Sequence, residues 1–209
     1  MNASVPPNRT FALRSHTPDG VWESNDNRYR NVAHQSLAEL EHLCEEVRNQ
    51  WPIKARESIQ TPALYPEVAK LAKRRDQASD ATRIYAAMAV EGFLNFYGVV
   101  RLGQQAFDDH FERLGLVPKL RCLLLLCDQL NCPRNDPLVL LLDKVAQSRN
   151  ALVHPKATEV VGDFSRHVPI EVPMPSTARL AVENMEAFFA VFVAAVPEAE
   201  PHLRRADAS

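Results

Sequence analysis

SRNALVHPK, residues Ser148 to Lys156, closes an apolar run that begins at Leu138. Leu138, Leu142 and Val145 recur at helical spacing, and at 3.6 residues per turn the same stripe reaches Arg149 and then Leu152. An arginine therefore stands where the pattern asks for a hydrophobe. A second stripe of the same helix carries Asp143, Gln147, Asn150 and His154. Pro155 disfavours helical geometry at the residue before it, which places His154 at or just past the last turn. Orphan carbonyls and the negative end of the helix dipole favour a protonated imidazole there. With an ordinary pKa of about 6.5, a histidine so placed can give or take a proton at neutral pH.

Arg149 and Asn150 followed by His154, an Arg-x4-His spacing with an apolar helix before it and a proline after it, resemble the signature of the HEPN superfamily, the higher-eukaryote and prokaryote nucleotide-binding domains. The likeness covers roughly Ser79 to Lys156. It implies an all-α, HEPN-like helical bundle that pairs as a homodimer. It further implies a metal-independent ribonuclease of the toxin or phage-defence kind, cytoplasmic and without a cofactor, in which Arg149, His154 and Asn150 form the catalytic set. RNA or nucleotide is then the ligand, and an antitoxin or another defence-system protein a partner. Other members of the superfamily lack activity and bind nucleotide, RNA or a protein, and that module is the alternative. In toxins silenced by a nucleotidyltransferase antitoxin, a tyrosine two residues after the histidine is modified. Lys156 occupies that position here, so the chain departs from that pairing.

The chemistry can be stated from the side chains themselves. Cleaving RNA without a metal needs a base for the 2′-hydroxyl, a proton for the leaving 5′-oxygen and positive charge on the phosphorane-like transition state. A histidine moves the proton, and the arginine fork matches phosphate oxygens. On a continuing helix two side chains five residues apart diverge by about 140°. The two groups therefore converge only if the helix ends near His154 or a second subunit contributes across a two-fold axis.

Composition frames the rest. The chain has 209 residues, 46% of them hydrophobic, and six glycines, which suits one helical domain with a sizeable core. A net charge of -2 opposes a protein that coats nucleic acid by bulk electrostatics and leaves room for a small local contact. Residues 1-33 are rich in Asn, Pro and Arg without a sustained period and read as an irregular extension, in which Phe11, Leu13, Val21 and Trp22 can pack on the domain as an arm. No secretory signal core is present there. The helical domain spans 34-197, and 198-209 read as a polar tail.

Within the domain, residues 35-51 form an amphipathic helix stopped by Pro52. Residues 67-77 form another, whose Lys70, Lys73, Arg74 and Arg75 make the densest basic cluster; with Lys156, the last three are the residues placed to steer a phosphate backbone. A new helix, capped by Ser79 or Asp80, then runs to Leu102 and is apolar nearly all round, as a central bundle helix is. Glu91 and Asn95 interrupt it too centrally for a membrane span. They share a stripe with Ile84, Met88 and Val99 and need partners, the economical one being Arg149, which they would either orient for the site or hold in a structural salt bridge tying two helices. Asp108, Asp109, His110 and Glu112 point to different faces of a short helix over 104-114 and make a surface patch, so no metal site is expected. The helix over 119-130 is strongly apolar, and Pro137 sits in the first turn of the motif helix. Cys122, Cys127 and Cys132, spaced by five, match no zinc pattern and read with Cys44 as reduced core residues. A long loop over 157-175, with Arg166 and His167, leads to a closing helix capped by Ser176 or Thr177.

Overall fold

In a computed structural model the described residues are 14–17, 20–50, 66–153 and 175–203. They form an all-α bundle to which one short hairpin is added. The hairpin pairs β1 (Arg14–Thr17) with β2 (Gly20–Glu23), antiparallel, with Ser15 opposite Trp22. The helices are α1 (Asp26–Gln50), α2 (Pro66–Leu102), α3 (Gln104–His110), α4 (Leu116–Asp128), α5 (Pro137–Val153), α6 (Pro175–Ala195) and, after a 3₁₀ turn at Pro197–Ala199, α7 (Glu200–Leu203). None of these is long and apolar enough to cross a membrane.

α2 is the axis. It is one helix where the sequence pattern suggested two. Between Pro66 and Gly92 the chain has neither glycine nor proline, so nothing breaks the helix at Ser79. Thr82 donates its hydroxyl to the Ala78 carbonyl, 2.8 Å away, and the buried Ser79 hydroxyl caps nothing. α1, α5 and α6 pack around α2, burying Ala86, Val90, Phe93, Leu94 and Tyr97. Phe93 meets Phe189 and Phe192 of α6 edge-on, at ring separations of 5.7 and 4.9 Å. Such edge-to-face pairs add to the free energy of burial.

Helix ends agree with local chemistry. The Asp136 carboxylate accepts from the Leu138 amide at 2.9 Å and caps α5, with Pro137 in its first turn as the sequence indicates. α6 begins at Pro175, ahead of the expected Ser176 or Thr177 cap, because proline's fixed φ suits a first helical position.

Both ends of the chain contribute more structure than expected. α1 begins at Asp26, inside the stretch read as irregular, and Ala33 on it is buried. At the other end, residues read as tail include the buried His202 and Leu203. His202 Nε2 lies 3.1 Å from the buried Asp26 carboxylate, and its ring stacks on Phe96 at 4.4 Å. A buried carboxylate needs such a partner, which is why the ends meet. Alongside, Arg30 and His34 of α1 grip Glu186 of α6, the Arg30 Nε and His34 Nε2 atoms each 2.7 Å from Oε1. Burial raises the Glu186 pKa, but the hydrogen bonds from Arg30 and His34 outweigh it and hold the carboxyl below its ordinary value.

A Cβ on Gly98 would lie 2.4 Å from the Phe107 ring, whereas one on Gly92 would lie 3.7 Å from its nearest neighbour, the Asp26 backbone. Gly98→Ala should therefore lower unfolding free energy by about 1–3 kcal/mol in urea titrations, while Gly92→Ala leaves it unchanged or raises it by up to about 1 kcal/mol. The Glu186 clamp has a pH signature. Because its folded pKa is depressed, its contribution is full above the ordinary carboxylate value of 4.5 and disappears as pH falls through the folded value. The stability difference between wild type and Glu186→Gln should shrink as pH falls below 4.5.

Candidate functional site

The motif helix reaches the bundle surface at its C-terminal end. Leu138, Leu142 and Val145 are buried, as the stripe requires, and Arg149, on the same stripe, is half-buried at the rim. Asn150 is exposed, and the i, i+4 pair Asp143 and Gln147 is joined by a 2.6 Å hydrogen bond on the outer face. His154 and Lys156, together with Arg166 and His167, lie outside the described residues.

α2 holds this end of α5 through a residue that the sequence reading passed over. Arg83 donates from Nη2 to the Ser148 carbonyl at 2.7 Å and from Nε to the Ser148 hydroxyl at 3.1 Å. One guanidinium thus grips both the hydroxyl and the carbonyl of Ser148, the residue before Arg149, in the penultimate turn of a helix that runs on to Val153. Burial lowers the Arg83 pKa, and Asp80 opposes the shift. Arg83 lies on the apolar helix between Thr82 and Ile84, where a basic residue is as conspicuous as Arg149 is in α5.

Glu91 and Asn95 do not pair with Arg149. Among the described residues, neither they nor Arg149 join each other by a hydrogen bond or ion pair. The Asn95 amide oxygen accepts from Lys119 Nζ of α4 at 2.7 Å, and Lys119 also donates to the Glu112 carbonyl at 3.2 Å. Lys119 is fully buried, its ammonium 5.5 Å from the Phe107 ring centre. Burial lowers its pKa, and the Glu91 and Glu112 charges pull it back up. The polar stripe of α2 faces the hairpin side of the bundle instead of α5. There Glu91 and Asn95 line a cavity of about 400 Å3 whose other walls include Trp22, Tyr29, Met88 and Phe96. Trp22 does pack on the domain as an arm residue, while Val21 beside it on β2 is exposed.

The basic cluster is divided. Successive helical residues point about 100° apart, and Leu71, Arg75 and Ala78 form the stripe that faces α1. Arg75 is accordingly buried, 2.7 Å from Asp76 and near enough to Cys44 to lower its thiol pKa against the larger raising effect of burial. Arg74 pairs with Glu39 across the surface at 3.0 Å, and Lys73 is exposed. The three side chains expected to steer a phosphate together do not share one face.

A second buried polar group closes the far end of α2. The Tyr97 hydroxyl donates to the Asp128 carboxylate, which also accepts from Arg101 Nη2 at 2.6 Å. Burial raises the Asp128 pKa against the Tyr97 hydrogen bond and the Arg101 charge, and burial likewise pushes the Cys127 thiol up to about 11. The four cysteines are free, and Cys127 in this setting is a poor nucleophile. No group of three or more His, Cys, Asp or Glu side chains that could hold a metal occurs among the described residues; Asp108, Asp109, His110 and Glu112 are exposed on and after α3.

Removing the Arg83 anchor should loosen the motif without unfolding the bundle. Arg83→Ala should cost about 1.5–3 kcal/mol, the range for hydrogen bonds to charged groups, and hydrogen exchange should speed up in the last turn of α5 before it does in α6. Compared with protein-family models, with curated proteins and with solved structures, the chain has no match.

Proposed function

We propose that this protein is a metal-independent endoribonuclease of the HEPN type, with Arg149, Asn150 and His154 as its reacting set. The observation that carries the reading is the state of Arg149. It stands half-buried on an otherwise apolar stripe with no carboxylate partner among the described residues, on a turn that Arg83 braces. A structural arginine at such a position is ordinarily paired, because a partly desolvated guanidinium without an anion is costly. An arginine reserved for a phosphate is left open. The all-α bundle and the Arg-x4-His spacing support the same reading.

In this mechanism one imidazole removes the 2′-hydroxyl proton, the 2′-oxygen attacks phosphorus, and the bond to the 5′-oxygen breaks as that oxygen takes up a proton. A 2′,3′-cyclic phosphate and a 5′-hydroxyl result. Arg149 and Asn150 hold the phosphate oxygens, and a second copy of the chain supplies the other imidazole across a two-fold axis. The proposed setting is cytoplasmic defence or a toxin system, with an antitoxin or defence protein as partner.

The test is cleavage of a mixed RNA pool in EDTA by wild type, His154→Ala and Arg149→Ala, with equal folding checked by thermal melting. Wild type should leave cyclic phosphate ends, and loss of the proton-transfer group should slow cleavage by about 10²–10⁴-fold. Absence of cleavage by the folded wild type on every RNA tried would overturn the enzyme reading in favour of a silent binding module.

A further inference from the structure

The cavity between α2 and the hairpin is a second site, and the geometry points to a neutral pyranose sugar as its ligand. Its volume of about 400 Å3 falls within the range of small-molecule pockets. Three aromatic side chains, Trp22, Tyr29 and Phe96, give it apolar surface against which the C–H faces of a sugar ring can lie. His202 stacks on Phe96 at 4.4 Å and holds that wall in place. The polar groups come from both sides of the seam. Glu23 and Asn25 stand on and just after β2, and Glu91 and Asn95 stand one turn apart on α2. A ligand that fills the space is therefore met by hydrogen-bonding groups on two sides, which suits a ring with hydroxyls around its rim.

The sense of these groups selects hydroxyls over charged ligands. An ammonium has only donors, so Lys119 engages the Asn95 amide through its oxygen and leaves the amide NH2 to donate. One turn away the Glu91 carboxyl supplies acceptor oxygens, and side chains at that spacing share one face of a helix. An acceptor and a donor side by side answer two neighbouring hydroxyls, one donating to Glu91 and the next accepting from Asn95. On the hairpin side Glu23 again offers acceptors, and the Asn25 amide both accepts and donates. A hydroxyl also does both, so one ring can satisfy the whole set. An organic cation would serve the carboxyls and leave the Asn95 donor idle. An anion finds no charged partner, because no lysine, arginine or histidine is among the described residues lining the cavity. Lys119, behind Asn95, is turned to that side chain and to the Glu112 carbonyl. This inference does not rest on the ribonuclease reading.

The test is a ligand-observed NMR titration of the full chain with the methyl glycosides of glucose, galactose, mannose and xylose, and with 1,4-diaminobutane and succinate as cationic and anionic comparisons. At least one glycoside should bind saturably, and neither comparison should displace it. Glu91→Ala should weaken that glycoside by about three- to tenfold, the loss of one hydrogen bond. Trp22→Leu, on the hairpin outside the helical core, should weaken it at least as much and serves if the Glu91 variant is unstable. Trp22 and Trp51 are the two tryptophans of the chain, so in Trp51→Phe the emission reports on Trp22 and should shift as the glycoside saturates. The proposal is overturned if no glycoside binds, if diaminobutane or succinate competes as strongly as a second glycoside, or if wild type and the folded variants bind the glycoside equally.

Discussion

Everything in this bundle depends on the enclosure of α2. From Thr82 onward this helix, surrounded by α1, α5 and α6, has little face to give to water, and polar groups buried on it need partners inside the protein. Several do so, in different directions. Arg83 turns to the end of α5, Asn95 to Lys119 of α4, and Tyr97 and Arg101 to Asp128 at the end of α4. These contacts join the other helices to the axis at fixed heights. They do what apolar packing alone does poorly, because a hydrogen bond has a geometry and a hydrophobic contact is largely non-directional.

The same need for partners ties the chain ends together. Asp26, at the start of α1, is buried against His202 in α7, and Arg30 reaches both Glu186 and, at 3.0 Å, the Leu203 carbonyl. With α1 fixed at its first turn, the hairpin just before it lies against the polar stripe of α2, and β2 brings Trp22 to the cavity wall. The cavity is thus a product of the closure of the two ends.

The two candidate sites lie on different faces of α2 and have opposite electrostatic character. At the end of α5, Arg83 grips Ser148, and the half-buried Arg149 follows it in the chain. In the cavity two carboxylates, Glu23 and Glu91, and two amides, Asn25 and Asn95, meet aromatic walls.

The apolar periodicity of the sequence determined that the chain is a helical bundle, that the stripe from Leu138 to Val145 is buried and that Arg149 interrupts it at the rim. Those properties are local, since a 3.6-residue period and a helix-opening proline act within a few turns. Tertiary structure decided the partners. Glu91 and Asn95 were legible as polar residues on a core stripe, but the stripe faces the hairpin and Lys119 because the pairing of Asp26 with His202 brings the N-terminal segment there, a contact 176 residues apart in the chain. Arg75 could have been placed from the Leu71–Ala78 spacing, whereas the grip of Arg83 on Ser148, across 65 residues, could not. A one-dimensional pattern tells which side of a helix is buried. Which neighbour buries it depends on how all the helices fill the space together.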